Sequence, residues 1–489
     1  MLCLNGYRVS KQDKDVSVEE LRKTLTVKPY IPKVFVNPRS VPKYTVFKES
    51  QDALYLPKHF GIQTFGEARE TTRDVPETPE CYWEFAGTLR PQQQVVVNSM
   101  LLPEPHDGVV SLHTGGGKTV CALYIASRLR LPTLVIVHNT FLRDQWEERV
   151  RGFLPKARIG RIQGDKCEVE GYDVVIAMLQ TLSMKEISIT AFKPIGLVIV
   201  DECHHIASEV FVQALPKVTS RYMLGLSATP SRKDGLMYVV NWFLGPLLYN
   251  SDTSDKTDAD IHVEVYEYPN NDPEFNRIIY NPQGVMFTTL MINKLAECEH
   301  RTRWLVGIIG DVMAEDPHRQ MLVLSDRVQH TKDLLAALPE ALRDKACILS
   351  QSLAAPKRAE YCQSKSILIA TYAMCKEGFD VPSLNTLLMS TPRPDIDQIV
   401  GRILRVEKSA RKTHPLILDI VDPQFRRQFQ ERLVLYKKRH YTITKMELPS
   451  EALPCSLLNQ PSSEALAQGT KSPSQSSGPG SGPLSSWLL

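Results

Sequence analysis

Six consecutive residues, Thr114-Gly115-Gly116-Gly117-Lys118-Thr119, follow the β-branched run Val109–Leu112 and precede a helical stretch, VCALYIASRL. Glycines let backbone N–H groups wrap phosphate oxygens, and a helix N-terminus adds a favourable dipole. In that setting Lys118 meets the β- and γ-phosphates of a nucleotide, and the Thr119 hydroxyl meets a magnesium ion. Further along, the apolar run GLVIV ends in Asp201 and Glu202. A carboxylate at the end of a buried strand can hold the metal, usually through water. Its neighbour can orient and deprotonate a water that attacks the γ-phosphate. Either feature alone has a plain structural explanation, a Gly-rich turn or a solvated acidic cap. Together they predict an ATP and Mg2+ site.

A third group lies in DIDQIVGRILR, which supplies Gln398, Gly401, Arg402 and Arg405. On a helix, residues three apart share a face, so Arg402 and Arg405 can reach together into an ATP held by another part of the chain. An arginine so placed supplies about 10³–10⁵ in rate, or about 4–7 kcal/mol off the barrier. The bland alternative is a basic helix face in water.

Short buried-strand patterns must position these groups. They recur at Val109–Leu112, Thr133–Val137, Asp173–Ala177, Leu197–Val200 and Met223–Leu226. A second set follows at Met321–Leu324, Cys347–Leu349, Ile367–Ala370, Thr386–Met389 and Leu416–Ile420. Apolar runs alternating with helical stretches imply parallel strands covered on both faces, hence an α/β fold with two sheets. The expected organisation is an N-terminal accessory domain over 1–80, a nucleotide-binding domain over 81–250, a linker over 251–260, a second α/β domain over 261–445, and a tail over 446–489. The tail is Ser-, Pro- and Gly-rich, as in PSQSSGPGSGPLSS, and is expected to be disordered. Asn271–Glu299, with Pro and Asn breaks before a helical stretch, reads as an insertion or a preamble to the second domain. No repeat of solenoid length is visible.

Bulk properties exclude several classes. At 489 residues the chain exceeds one hydrophobic core, and 43% hydrophobic with 23% charged residues is ordinary globular composition. No long uncharged apolar run or signal peptide is present, so an intracellular, soluble protein, cytoplasmic or nuclear, is expected. The ten cysteines contain no C-x-x-C pair and suit reduced thiols. A net charge of +3 does not by itself demand a nucleic-acid partner.

Taken in order, these motifs resemble those of superfamily 2 helicases, whose T-G-x-G-K-T, D-E-x-H and Q-x-x-G-R-x-x-R segments match Thr114–Thr119, Asp201–His204 and Gln398–Arg405. The resemblance covers roughly residues 85–440 and implies two tandem RecA-like domains closing on one ATP. It implies that His204 couples to the S-A-T box, Ser227-Ala228-Thr229. In TLRPQQQ it aligns Gln93, near Arg90, with a glutamine that reads adenine, though Gln92 and Gln94 leave the register open. It implies backbone contacts to a nucleic acid from Asn139, Thr140 and Gln145, from Gln180 and Thr181, and from Thr371 in the second domain. Asp380, in Gly378-Phe379-Asp380, would approach the nucleotide. Trp146 reads as a helix core residue, and Ser325 and Arg327 as weaker candidates for backbone contact.

The string LGLSATPSRKDG is similar to that of the transcription-repair translocase, the restriction-enzyme motors and helicases of large DNA viruses and phages. That likeness favours DNA over RNA as the track. It implies a monomeric motor without membrane contact, and transcription or replication proteins could be recruited through the N-terminal domain or the tail. Three other functions fit parts of the pattern: an RNA helicase, an ATP-switched transcript-release factor that separates no strands, and a non-motor P-loop enzyme. The last leaves Gln398–Arg405 unexplained.

Overall fold

The computed structural model describes residues 1–30, 43–68, 70, 83–113, 115–205, 212–229, 232, 234–251, 260–282, 284–350, 353–376, 381, 383–403 and 411–446. Thr114, Asp380, Arg405, most of the expected linker and nearly all of the expected tail lie outside these residues, as does the side chain of Gln398.

The N-terminal segment forms small antiparallel sheets from β1 (Leu2–Cys3), β2 (Gly6–Ser10), β3 (Thr26–Val27), β4 (Tyr44–Thr45), β5 (Lys48–Glu49) and β6 (Ala53–Leu56). Its apolar side chains, among them Tyr7, Leu25, Val46, Leu54 and Phe60, join the same buried cluster as Val109, Leu134, Val198 and Met223 of the first large sheet. A buried polar knot strengthens the contact. The Lys58 ammonium sits 2.6 Å from Asp107 Oδ2 and donates to the carbonyls of Ser220 and Arg221, while His59 Nε2 lies 2.8 Å from the same Asp107 oxygen. Burial works against the Asp107 charge, but Lys58 and His59 outweigh it and hold the carboxyl below its ordinary pKa.

The first lobe is an eight-stranded sheet made of β7 (Gly108–Ser111), β8 (Thr133–Val137), β9 (Ile159–Gln163), β10 (Lys166–Cys167), β11 (Val174–Met178), β12 (Leu197–Val200), β13 (Tyr222–Ser227) and β14 (Leu247–Asn250). Their spatial order is β10-β9-β11-β8-β12-β13-β7-β14, with β10 the antiparallel exception at one edge. Alternate residues along the central strands enter opposite cores. Val109, Leu134 and Ile136 face the N-terminal side, whereas Val110, Val135 and Val137 face the helices Pro91–Leu101, Lys118–Leu129 and Thr140–Phe153. Both faces being covered explains why these strands read as unbroken apolar runs.

The second lobe is a seven-stranded, all-parallel sheet of β15 (His262–Glu267), β16 (Met321–Ser325), β17 (Ala346–Leu349), β18 (Ile367–Thr371), β19 (Thr386–Met389), β20 (Leu416–Val421) and β21 (Thr442–Met446), in the order β17-β18-β16-β19-β20-β15-β21. The Asn271–Glu299 region supplies the short Pro273–Asn276 helix and the Thr288–Glu297 helix, which bury Phe275, Met291 and Leu295 against Phe425. Among the described residues no helix is long and apolar enough to cross a membrane.

Candidate active site

The phosphate-binding motif follows β7, the acidic pair follows β12 and the Ser-Ala-Thr box begins at the end of β13. Because β13 lies between β12 and β7, all three meet at the carboxyl ends of adjacent strands, where open α/β sheets bind their ligands.

Gly115 and Gly117 have φ of 89° and 84°, the left-handed region that favours glycine. Gly117 caps the Lys118–Leu129 helix; its conformation favours glycine, and a Cβ there, 2.1 Å from Gln93 Nε2, would displace that amide. Lys118 Nζ donates to the Leu112 carbonyl at 3.3 Å and lies 3.8 Å from Glu202 Oε1. Thr119, half-buried in the first helical turn, sits on the same lip. Ser251, at the start of the connection to the second lobe, accepts from the His113 N–H at 3.0 Å and so ties that connection to the loop.

Three adjacent glutamines leave the register open in the sequence, and their surroundings in the structure differ. Gln93 is buried, accepts from the Arg90 N–H at 2.9 Å and donates toward the Gly116 carbonyl, whereas Gln92 is exposed and Gln94 bonds Asn98 on the helix surface.

Asp201 is buried, with one oxygen accepting from Trp146 Nε1 at 2.8 Å and the other from the Glu202 N–H at 2.9 Å. Burial first, and the adjacent Glu202 second, push its pKa above the ordinary carboxylate range. Trp146 is completely buried, as a core reading predicts, yet its indole also orients this carboxylate, a role no local signal reveals. Glu202 adopts φ of 47°, an uncommon conformation for a residue with a side chain and one that clusters at functional sites. Its carboxylate lies 3.4 Å from His204 Nδ1, which in turn sits 3.0 Å from Ser227 Oγ. The fully buried Ser227 hydroxyl donates to the Thr229 carbonyl and accepts the Thr229 N–H, closing a chain from Lys118 through Glu202 and His204 to Thr229. Burial lowers the His204 pKa, with Arg232 and Lys118 adding to the effect and Glu202 opposing it.

This donor set fits Mg2+. The ion takes hard oxygens, often only one or two carboxylates plus substrate phosphates and waters, and a buried carboxylate crowded by a second one lacks the positive charge such an ion supplies. Among the described residues no cluster of three or more His, Cys, Asp or Glu could form an all-protein cage.

The other half of the same edge carries the segments expected near a nucleic-acid backbone, after β8, β9 and β11. Asn139 caps the Thr140–Phe153 helix by accepting from the Leu142 N–H at 2.8 Å, and Thr140 is exposed at its start. Gln145 is half-buried on that helix. Gln180 donates to the His138 carbonyl, and the Thr181 hydroxyl accepts from the Gly164 N–H, so the loops knit together. In the second lobe Thr371 ends β18 and accepts from the Met374 N–H. Ser325 is fully buried, bonding His330 and the Arg327 N–H, which leaves no surface for a backbone contact; Arg327 bonds Asn293 and two carbonyls.

Gln398 lies in a single helical turn, Asp397–Val400. The chain continues through Arg402 and Ile403 in tight i→i+3 turns. Arg402 is nearly buried and donates to the Cys375 carbonyl at 2.9 Å within its own lobe.

Fold and site define a two-lobed P-loop nucleoside triphosphatase. The family profile described as type III restriction enzyme, res subunit, matches residues 86–232. A protein of Acanthamoeba polyphaga mimivirus named as an ATP-dependent RNA helicase is 31% identical over 463 residues, which span 92% of this chain and 87% of the relative. A protein of Invertebrate iridescent virus 6 named as a helicase is 27% identical over 76% of this chain and 87% of its own length. Among solved structures, Mss116p bound to ssRNA and AMP-PNP aligns with a TM-score of 0.53 at 16% identity, covering 74% of this chain and 75% of that one. The chain belongs to the superfamily 2 helicases that carry the ResIII-type domain, and it is an ATP-hydrolysing enzyme.

Proposed function

We propose that the protein is a DNA translocase or helicase in which Mg2+-ATP hydrolysis at the β7, β12 and β13 ends drives movement along one strand. The observation that carries this reading is the contiguous run of side chains from Lys118 past Glu202, 3.8 Å away, to His204, 3.4 Å further on and hydrogen-bonded to Ser227, which joins nucleotide chemistry to the neighbouring loops. In it the 114–119 loop cradles the phosphates and Gln93 reads adenine. Thr119 and Asp201 hold the magnesium ion, which offsets phosphate charge when bound. Glu202 orients the attacking water and accepts its proton. Arg402 and Arg405, with Gln398, stabilise the transferring phosphoryl group as the lobes close, and Asp380 approaches the nucleotide from the same side. His204, Ser227 and Thr229 pass loss of the γ-phosphate to the grip on the track. Asn139, Thr140, Thr181 and Thr371 hold phosphates without reading sequence.

The 80-residue N-terminal segment packs as an extension of the first lobe in this reading, and the chain divides into working parts near residues 250 and 260. The DNA assignment rests on the 224–235 string and its likeness to DNA motors. An RNA track is the second reading, favoured by the name of the mimivirus relative. ATPase activity measured at one stated salt with no polymer, single-stranded DNA, duplex DNA and RNA separates them. Stimulation by DNA alone is expected, and stimulation by RNA alone refutes the assignment. A strand-displacement assay run beside it distinguishes unwinding from translocation or transcript release.

A further inference from the structure

Residues 391–397, which lead into Gln398 and Arg402, are held from several sides by side chains of the second lobe. Arg432, on the Arg426–Lys438 helix, grips both oxygens of Asp419 at 2.9 and 2.6 Å and spends its remaining reach on the Arg393 carbonyl at 2.9 Å. Tyr436, one turn on, donates to the same Asp419 at 2.7 Å. The Arg432 and Asp419 side chains are 1% and 0% exposed. Arg393 itself pairs with Asp326 at 2.7 Å and lies over the Tyr372 ring at 4.8 Å, while the Tyr372 hydroxyl donates to the Thr391 carbonyl at 2.8 Å. At the far end of the segment Arg439 bonds Asp397 at 3.3 Å. Helix Tyr372–Lys376, anchored through Tyr372, also presents the Cys375 carbonyl that receives Arg402.

Stability alone does not account for this arrangement. A fully buried ion pair is often no better for stability than well-packed apolar residues, because desolvation offsets the attraction. What apolar residues could not supply is a rigid donor to a loop carbonyl, and only the planar guanidinium can serve two carboxylate oxygens and that carbonyl at once. We propose that Arg432 is a positioning residue for ATP hydrolysis, fixing through the Arg393 carbonyl the loop that delivers Arg402 to the nucleotide. The proposal rests on the assignment of Arg402 to the phosphoryl group.

The test is steady-state ATPase kinetics of the full chain with Arg432→Lys, Arg402→Ala and the double variant. Lysine keeps the charge facing Asp419 but cannot hold the carbonyl as well. Arg432→Lys is expected to lower kcat at least tenfold with KM for ATP within threefold. In the Arg402→Ala background the same change is expected to cost less than twofold, because a residue acting through Arg402 has nothing left to position. A kcat within twofold of wild type for Arg432→Lys overturns the proposal, as does a double variant in which the two losses multiply. If Arg432→Lys does not fold, Arg439→Gln replaces it: a threefold or greater loss of kcat that vanishes beside Arg402→Ala supports the proposal, and an unchanged kcat overturns it. Normal turnover by Arg402→Ala refutes the underlying arginine assignment, a result distinct from normal turnover by Arg432→Lys beside an impaired Arg402→Ala.

Discussion

Replacing Trp146 by Phe removes one hydrogen bond in the site. The side chain stays apolar but loses the five-membered half of the indole, so the donor 2.8 Å from Asp201 Oδ2 is removed and a small cavity is left at a fully buried site. Hydrogen bonds to charged groups contribute about 1.5–3 kcal/mol, and loss of an outer partner of a metal ligand typically costs about 10–100-fold in metal affinity or activity. Burial and Glu202 already oppose the Asp201 charge, and without the indole only Lys118 and the Glu202 N–H are left to favour it. The expected result is a 10–100-fold increase in the Mg2+ concentration giving half-maximal ATPase activity. Metal-free nucleotide binding, which leans on the 115–119 loop, should change less. Activity titrated with Mg2+ at fixed ATP, together with fluorescent-nucleotide binding in chelator, separates the two effects. A half-maximal Mg2+ concentration within twofold of wild type refutes the reasoning that Trp146 holds a metal-binding carboxylate.

Lys118→Ala should weaken nucleotide binding, whereas Glu202→Gln should bind ATP normally and lose about 10²–10⁴ in turnover, the usual contribution of a general base; normal turnover in the latter refutes that role. His330 is buried beside Arg301, burial being the larger cause, and its pKa is pushed down to about 3. The unfolded chain therefore takes up a proton below about pH 6.5 that the folded chain refuses, so stability is full above that pH and falls by about 1.4 kcal/mol per unit towards pH 3. His330→Phe should flatten the decline in Tm of the nucleotide-free protein between pH 6.5 and 5, and an unchanged slope counts against this account. Lys58→Met leaves the Asp107 carboxylate buried with its ammonium partner gone, a change expected to cost about 3–5 kcal/mol in urea denaturation and to open the N-terminal sheet to limited proteolysis.

Local chemistry was enough to read much of this protein. The strands Thr133–Val137, Leu197–Val200 and Thr386–Met389 occur with the bounds their short, largely apolar runs predict, because a strand buried on both faces carries few polar side chains. The loop at Lys118 and the pair at Asp201 and Glu202 were legible for a similar reason: phosphate and metal chemistry restricts residue types over a few consecutive positions. Strands with weaker signals were not legible. Ile159–Gln163 contains Gly160 and Arg161 and buries only alternate residues, and Thr442–Met446 is an exposed edge.

Only the tertiary structure decided which distant segments meet. Sheet order places β13 between β12 and β7, which brings Ser227 to His204 and Glu202 to Lys118. Packing buried Gln93 beside the Gly116 carbonyl, turned a core tryptophan toward Asp201, merged the N-terminal apolar residues into the first lobe's core, and set Arg432 under the Arg393 carbonyl. Each of these depends on crossover connections and on burial by elements far away along the chain. A window of neighbouring residues carries their propensities but not their partners.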